Sequence, residues 1–475
     1  MNLQEQNKLL YSRAGFGLSL QDFMHPQPIG KSIDGLFPKA TPGILELITA
    51  EEWAENDPKA MKGVTDDMER KDMQKKFRER GIDLNLLWMQ EMVQAEYPLL
   101  EKMSLFWHGH FATRVDNPYY DQQLLDIIRK NALGNFGDLL KAVSTSPSML
   151  QFLNNQQNRK QHPNENFARE VMELFTLGRG HYTEDDIKEG ARAFTGWGFD
   201  EFGEFVFRKG QHDDGQKTFL SESGNFNGDD ILNILLKQKQ TAIFITQKIY
   251  RYFVSDENID DKKVHTLSNH FYESNYNISS LLKMIFNSDW FYSSEISGAK
   301  IKSPVELLVG YQRMIPMEFK NERTWINLQQ VLGQYLFNPP NVAGWPGGKN
   351  WIDSSSLVIR MRLPEAFFSS KELNLTAKEI DPEMAAMYKK DVQMQSQQPF
   401  RVGQLDSVDW NSYISFWKHY NKAEMGKTIA DFLLPVPVAI NRLKEINEFA
   451  DNSTDEAYIK SMTILLMELP EYQLC

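Results

Sequence analysis

Three short segments of the 475-residue chain carry side chains that could bind a metal ion. The segment FWHGHFATR holds His108 and His110, and the segment GQHDDGQK holds His212 and Asp213. Between them in the sequence, NFAREVMELF adds Glu170 at the edge of an apolar stripe. Imidazole and carboxylate ligands together suit zinc, manganese or iron. If the three segments meet in the fold, these five residues are the predicted ligands of a divalent metal.

The spacing of the first two histidines sets a condition on this site. On a regular helix His108 and His110 point about 200° apart, so they reach one metal only if the backbone breaks at Gly109 or runs extended. Their aromatic neighbours, Trp107 and Phe111, fit a second interpretation, in which both histidines are hydrogen-bonded core residues. Both interpretations stay open on the sequence alone.

The segment QHPNENFAREVMELFTLG predicts a helix that begins after an N-cap at Asn164 and ends with Gly178 at C′. Glu165 and Arg169 lie at i and i+4, which is the spacing of an ordinary surface ion pair. In a metal-dependent enzyme, Glu165 or Glu173 would instead act as the general base on a metal-bound water. Arg169 would then contact the substrate.

Other residues are predicted to bind a ligand. The segment NPPNVAGWPGGKNWIDSSS offers the flat surfaces of Trp345 and Trp351 and the amide of Asn341, which suit a glycan or another amphipathic ligand. Arg13, before the turn-like sequence AGFG, suits an anion, and Lys217 follows the HDDG turn. The alternative for the Trp-containing segment is a well-packed ordered loop.

Composition narrows the class of protein. The formal net charge of −12 argues against a nucleic-acid partner, because binding phosphates requires clustered Lys and Arg. The only cysteine is Cys475, so neither an intrachain disulfide nor a cysteine metal cluster is expected. No run of about 18 apolar residues predicts a membrane span, and the first residues lack the pattern of a signal peptide. We therefore expect a cytoplasmic protein that does not enter the membrane.

Apolar periodicity predicts a mainly α, large multi-helical globular fold with a small β-hairpin and a long ordered Gly/Pro/Trp loop. The best strand signal is GEFVFRKG, in which Phe205 and Phe207 alternate. After about residue 365 the sequence becomes polar and rich in Met and Gln. We predict a main helical domain over residues 1–365 and a peripheral C-terminal helical lobe over residues 366–475.

Seven blocks follow one another as in a known bacterial family, and they are YSRAGFG, FWHGHFAT, NRKQHPNENFAREVMELFTLG, YTEDDIKEGARAFTGW, HDDGQKTFLSESGNFNGDDIL, IKSPVELLVG and LFNPPNVAGWPGGKNWIDSSSL. In these blocks, from about residue 8 to about residue 365, the chain resembles domain of unknown function 1800 (DUF1800). The resemblance implies no particular activity. Many members look exported and are encoded beside a second family that resembles sulfatases, so the resemblance implies a sulfatase-like protein as partner.

Three hypotheses of function follow. The first is a metal-dependent enzyme, either a hydrolase or an oxidoreductase, with a divalent Zn, Mn or Fe ion. The second is a metal-free binding protein for a glycan or an anionic small molecule. The third is a structural or partner protein whose buried histidine and acid networks stabilise a large helical core.

Overall fold

Most residues of the computed structural model lie in α-helices, as the sequence predicts. The structure describes residues 1–55, 67–369, 373–375, 400–402 and 405–475. Within these ranges no helix combines the length and the apolar character needed to cross a bilayer. The helices are α1 (Leu3–Ala14), α2 (Leu20–Met24), α3 (Ile29–Leu36), α4 (Ala50–Glu55), α5 (Asp67–Gln94), α6 (Pro98–His110), α7 (Pro118–Asn131), α8 (Phe136–Ser144), α9 (Pro147–Phe152), α10 (Asn166–Glu170), α11 (Glu184–Ala193), α12 (Gly228–Lys237), α13 (Lys239–Phe253), α14 (Asp261–Glu273), α15 (Ile278–Phe286), α16 (Pro304–Met314), α17 (Arg323–Leu332), α18 (Ser354–Phe368), α19 (Trp410–Trp417), α20 (Lys422–Leu433), α21 (Ile440–Phe449) and α22 (Asp455–Met467).

Local sequence signals fix several helix starts. The side chain of Asn117 accepts a hydrogen bond from the amide of Tyr119 at the start of α7. Proline has no N–H group, so Pro118 leaves no unsatisfied donor in this first turn. After Gly134, Asn135 caps α8 in the same way. At α16 a capping box joins Ser303 and Glu306. These capping residues satisfy amide groups that would otherwise lack partners in the first turn of each helix.

Short antiparallel strand pairs complete the fold. The predicted hairpin is confirmed, with β1 (Trp197–Phe199) paired to β2 (Phe205–Phe207) and Trp197 opposite Phe207. Phe205 and Phe207 are exposed, however, so this hairpin does not bury its phenylalanines in a core. The other pairs are β3 (Lys217–Phe219) with β4 (Glu222–Gly224), β5 (Met317–Phe319) with β8 (Leu405–Val408), and β6 (Leu373–Leu375) with β7 (Phe400–Val402).

Two large apolar cores lie on either side of α6. Trp107 of α6 belongs to the first core, which α1, α3 and α7 to α15 share. Leu105 of the same helix belongs to the second core, in which α5 and α16 to α18 pack with the C-terminal helices. The predicted boundary at residue 365 falls inside α18, and residues on both sides of it, such as Leu363 and Tyr413, pack in the second core. The division into two domains stays a prediction, and most of the polar segment after residue 370 lies outside the described residues.

The central helix α6 is buried along almost its whole length although it carries four titratable side chains. Each of them has a partner on a different element. Glu101 accepts from Arg129 of α7 (2.8 Å) and from the indole of Trp88 (2.9 Å). Lys102 forms an ion pair with Glu306 of α16. Because an unpaired charge would be costly in this environment, these contacts determine how the helices around α6 are placed.

The Gly/Pro/Trp loop packs directly on the C-terminal turn of α6. The backbone of Gly344, with a φ of 78°, approaches the carbonyl of Gly109 so closely that a Cβ would collide with that oxygen. Trp345 packs beside Gly109 in the same contact. The absence of a side chain at Gly344 thus allows the loop to reach α6, whereas a Cβ at Gly109 would make only an ordinary contact with Trp345 (3.9 Å).

We predict that Gly344→Ala lowers the free energy of unfolding by about 2–4 kcal/mol, because it adds both backbone strain and a collision with α6. Chemical denaturation of the two proteins measures the difference. The matched control is Gly333→Ala, since Gly333 also has a positive φ, 88°, but faces open space. Equal losses in the two variants would show that the contact with Gly109 is not tight.

Candidate functional site

The HGH segment lies on an unbroken helix, and its two histidines face different surroundings. The Phe337 amide donates to Nε2 of His108 (3.0 Å), whose ring contacts Trp88, Phe337 and Trp345. Burial lowers the pKa of His108 to about 3. His108 is therefore a neutral core residue that ties the Gly/Pro/Trp loop to α6.

His110 joins α6 to two other segments. Its Nε2 donates to the carbonyl of Phe175 (3.3 Å), and Nδ1 accepts from Nζ of Lys248 (3.0 Å). A carbonyl can only accept, so these contacts define the neutral tautomer with the proton on Nε2. Burial and the charge of Lys248 hold the pKa of His110 well below its ordinary value. Lys248 also donates to the carbonyl of Leu174 (3.0 Å).

The segment that supplies those carbonyls departs from the predicted single α-helix. After α10 the backbone continues as a π-helix over Val171–Thr176. Leu174 and Phe175 lie in its last turn, where carbonyls lack partners within the helix. The N-cap is Glu165 rather than Asn164, whose side chain instead accepts from the Asn166 amide. The prediction of Gly178 at C′ is confirmed by its φ of 82°.

The predicted acidic residues of this segment are partly exposed at the protein surface. Glu165 and Arg169 form a partly exposed ion pair (3.4 Å) that Glu184 extends (3.0 Å). Glu173 accepts a hydrogen bond from the hydroxyl of Tyr182 (2.7 Å). This bond and the guanidinium of Arg179 both lower the pKa of Glu173.

Glu170 is half-buried, and that burial, together with the nearby charge of Glu173, raises the pKa of Glu170. Glu165 and Glu173 could act as bases only towards a ligand at the protein surface beside α10. Arg169 could contact a substrate only there.

The HDDG turn forms a separate cluster against α11. Nδ1 of His212 donates to the carbonyl of Thr195 (2.9 Å), and Arg192 donates to both carboxylate oxygens of Asp213. Hydrogen bonds from Arg192 lower the pKa of Asp213. Lys217 is buried and donates to the carbonyls of Asp213 (2.5 Å) and Gly215 (3.0 Å). These contacts stabilise the turn itself.

The structure does not bring the predicted metal ligands together. Across the described ranges, no group of three or more His, Cys, Asp or Glu side chains is placed to hold a metal ion. The helix is continuous at Gly109, and it turns His108 and His110 to opposite sides. The hydrogen bond to the Thr195 carbonyl holds His212 in the separate cluster of the HDDG turn. The five-residue ligand set therefore has no common cleft.

The predicted ligand-binding residues of the Gly/Pro/Trp loop serve mainly to anchor it. Trp351 is buried, and Trp345 is half-buried against His108. The side chain of Asn341 accepts from the Ala343 amide (2.9 Å). This arrangement agrees with the alternative of a well-packed loop.

Arg13 is buried among backbone carbonyls, which the sequence did not predict. Its guanidinium is buried and donates to the carbonyls of Phe253 (3.1 Å), Val254 (2.7 Å) and Ile296 (2.5 Å). It thereby satisfies carbonyls at the C-terminal end of α13. The Nε atom of Arg13 is buried without a hydrogen-bond partner.

The segments around YSRAGFG and IKSPVELLVG meet at a small cavity of about 40 Å³, which we call the basic chamber. Its polar lining comes from α1, α6, α16 and the C-terminal residues. The lining residues with polar or charged side chains are Lys8, Ser12, Lys102, Lys302, Glu306, Tyr472 and Cys475. A cavity of this volume holds about three water-sized groups, which is enough for a carboxylate.

Positive charge exceeds negative charge in and behind the basic chamber. Six cationic side chains lie there, and they are Lys8, Arg13, Lys102, Lys300, Lys302 and Arg360. Five acidic groups act on them, and they are Glu306, Asp256, Cys475, Asp431 and the exposed Glu5. Arg360 is fully buried, and its Nε and Nη2 atoms lack hydrogen-bond partners. This interior is basic although the whole chain is acidic.

The pKa values of these groups reflect the same excess. Burial alone would raise the pKa of Glu306, but the charges of Lys102 and Lys300 lower it to about 2. Burial lowers the pKa of Lys302 to about 8 against the opposing effect of nearby negative charge. The pKa of Lys8 is likewise lowered to about 8 by burial. At neutral pH all three groups are mainly charged.

The lysines and the acid of this chamber were not among the residues that the sequence predicted to be functional. Lys102 and its neighbour Glu101 interrupt the otherwise apolar segment LLEKMSLFW. A charged pair inside an apolar helix is a signal for buried ion pairs, and it could have directed attention to Lys102. No comparable signal connects Lys102 with Glu306, which lies far along the chain.

Comparison with protein families identifies one match over nearly the whole chain. The family described as "Protein of unknown function (DUF1800)" matches residues 9–474. The similarity thus continues beyond residue 365 through the C-terminal helices. Comparisons with curated proteins and with solved structures found no match.

We predict that His108 makes the protein less stable in acid. The pKa of this residue is about 6.5 in an unfolded chain and about 3 when folded, so the unfolded state binds more protons between these values. Stability from this group is therefore present above about pH 6.5 and falls by up to ~1.4 kcal/mol per pH unit as the pH is lowered. His108→Gln, which keeps an acceptor for Phe337, should reduce the loss of unfolding free energy between about pH 6.5 and about pH 5.

The matched control for this measurement is His162→Gln, because His162 is exposed. It should leave the pH dependence of the unfolding free energy unchanged. If His108→Gln has the same pH dependence as the unmodified protein, then His108 is not a neutral buried residue.

Proposed function

This chain belongs to the DUF1800 family of proteins of unknown function, and from that premise we propose that it binds a small anionic ligand in the basic chamber. The observation that carries the proposal is the buried excess of cationic groups at a cavity. It favours the anion-binding form of the second hypothesis over a metal-dependent enzyme, whose predicted ligands do not share a cleft. A sulfatase-like partner and a cytoplasmic location stay predictions.

The electrostatic support comes from the cost of burying charge. A buried cation without an acidic partner loses its hydration, and in proteins such charges are usually paired. Lys102 has Glu306 and Lys300 has Asp256, but Lys302 donates to a backbone carbonyl, that of Tyr472 (2.7 Å). The charges of Cys475 and Glu306 act on Lys302, and a ligand carboxylate would add a hydrogen-bonded anionic partner.

The geometric support comes from the hydrogen-bonding capacity of the lysines. An ammonium group has three N–H donors. Lys302 uses one donor on the Tyr472 carbonyl, and Lys8 uses two on the carbonyls of Asp431 (2.5 Å) and Leu434 (2.7 Å). Both side chains line the cavity. Charge-assisted hydrogen bonds from these donors would orient an anionic group.

We predict that a small carboxylate, formate or acetate, binds to the protein and raises its melting temperature. Lys302→Met should weaken this binding by about ten-fold or more, because it removes one charge-assisted hydrogen bond of ~1.5–3 kcal/mol. Isothermal titration calorimetry at constant ionic strength measures the affinity, and circular dichroism checks that the variant is folded.

Two further variants keep this test decisive. Ser12→Leu should also weaken anion binding, because Ser12 lines the chamber and the larger side chain fills it without changing charge. Lys188→Met removes an exposed lysine of α11, a helix that does not line the chamber, and should leave the affinity unchanged. Equal anion affinity in the unmodified protein and in Lys302→Met and Ser12→Leu would contradict the proposed function, as would the absence of binding.

A further inference from the structure

A second, larger cavity adjoins the basic chamber, and we call it the outer cleft. Its volume is about 610 Å³, which is within the range of sites for small organic molecules. It lies between α1, the end of α20 and the start of α21. Four residues line both cavities, and they are Lys8, Ser12, Pro435 and Cys475.

Lys8 lies at the junction of the two cavities. Its ammonium group is held by the carbonyls of Asp431 and Leu434 at the C-terminal end of α20. A cation is favoured at this end of a helix. The positive group is thus fixed between the outer cleft and the basic chamber.

The lining of the outer cleft is largely apolar. Leu9, Phe23 and Leu434 form a buried floor. Towards the solvent, the wall continues through Val436 to Ile440, which is 74% exposed. An apolar surface that remains open to solvent suits the apolar part of a ligand.

The charged side chains of the outer cleft already have partners. Lys427 forms an ion pair with Asp431 (2.6 Å), and Glu5 accepts from the Asn2 amide (2.8 Å) in the capping box of α1. Apart from Lys8 and Cys475 at the junction, the charged groups that line this cleft are therefore satisfied within the protein. Polarity thus changes across the two adjoining cavities, from the basic chamber to the apolar outer cleft.

We infer that the ligand is an anionic amphiphile, such as a single-chain alkyl carboxylate, with its head group in the basic chamber and its chain in the outer cleft. This inference rests on the proposed function, since the head group uses the proposed anion site. The chain contributes affinity by removing apolar surface from water, and the lysines hold the carboxylate at the inner end.

The experiment is calorimetric titration with monomeric acetate, butanoate, hexanoate and octanoate. We expect the affinity to rise by ~2- to 4-fold for each methylene, with an increasingly negative heat capacity change. Ser294→Trp should abolish this dependence on chain length and leave acetate binding unchanged, because exposed Ser294 lines only the outer cleft. The matched control is Glu295→Trp, at the neighbouring exposed residue outside the lining.

The outcomes separate the two proposals. Acetate and octanoate binding with equal affinity would overturn the amphiphile inference and leave the proposed function standing. The same holds if octanoate binds equally well to Ser294→Trp and to the unmodified protein. If none of the carboxylates binds, or if neutral octanol binds as tightly as octanoate, then the proposed anion site itself is wrong.

Discussion

The burial of α6 with its charged and titratable side chains is the constraint on which the rest of the structure depends. Glu101, Lys102, His108 and His110 lie between two apolar cores, where an unpaired polar group is costly. Their partners come from α7, α16, the Gly/Pro/Trp loop and α13. Each contact therefore fixes the position of one neighbouring element relative to α6.

One of these contacts also creates the candidate site. Because Lys102 must pair with Glu306, α16 approaches α6 at the point where α1 and the C-terminal residues meet. Lys302 and Lys300 come with the segment that leads into α16, and they bring more positive charge than the local acids offset. The same ion pair thus supports the fold and leaves a basic cavity beside it.

Sequence patterns predicted the local structure better than the site. Apolar periodicity predicted the mainly helical fold, and the alternation of Phe205 and Phe207 located the hairpin. The helical phase also showed that His108 and His110 diverge unless Gly109 breaks the helix, which it does not. Neither the π-helix after Glu170 nor the pairing of Lys102 with Glu306 has a local signal, because both depend on packing between distant segments.

The most direct test of the central claim is anomalous diffraction from crystals equilibrated with bromide, a single-atom anion that is small enough for the basic chamber. We expect a bromide peak in the basic chamber within hydrogen-bonding distance of Lys302, and its loss in crystals of Lys302→Met. Bromide peaks confined to surface lysines, with none in the chamber, would contradict the claim that this buried positive charge binds an anion.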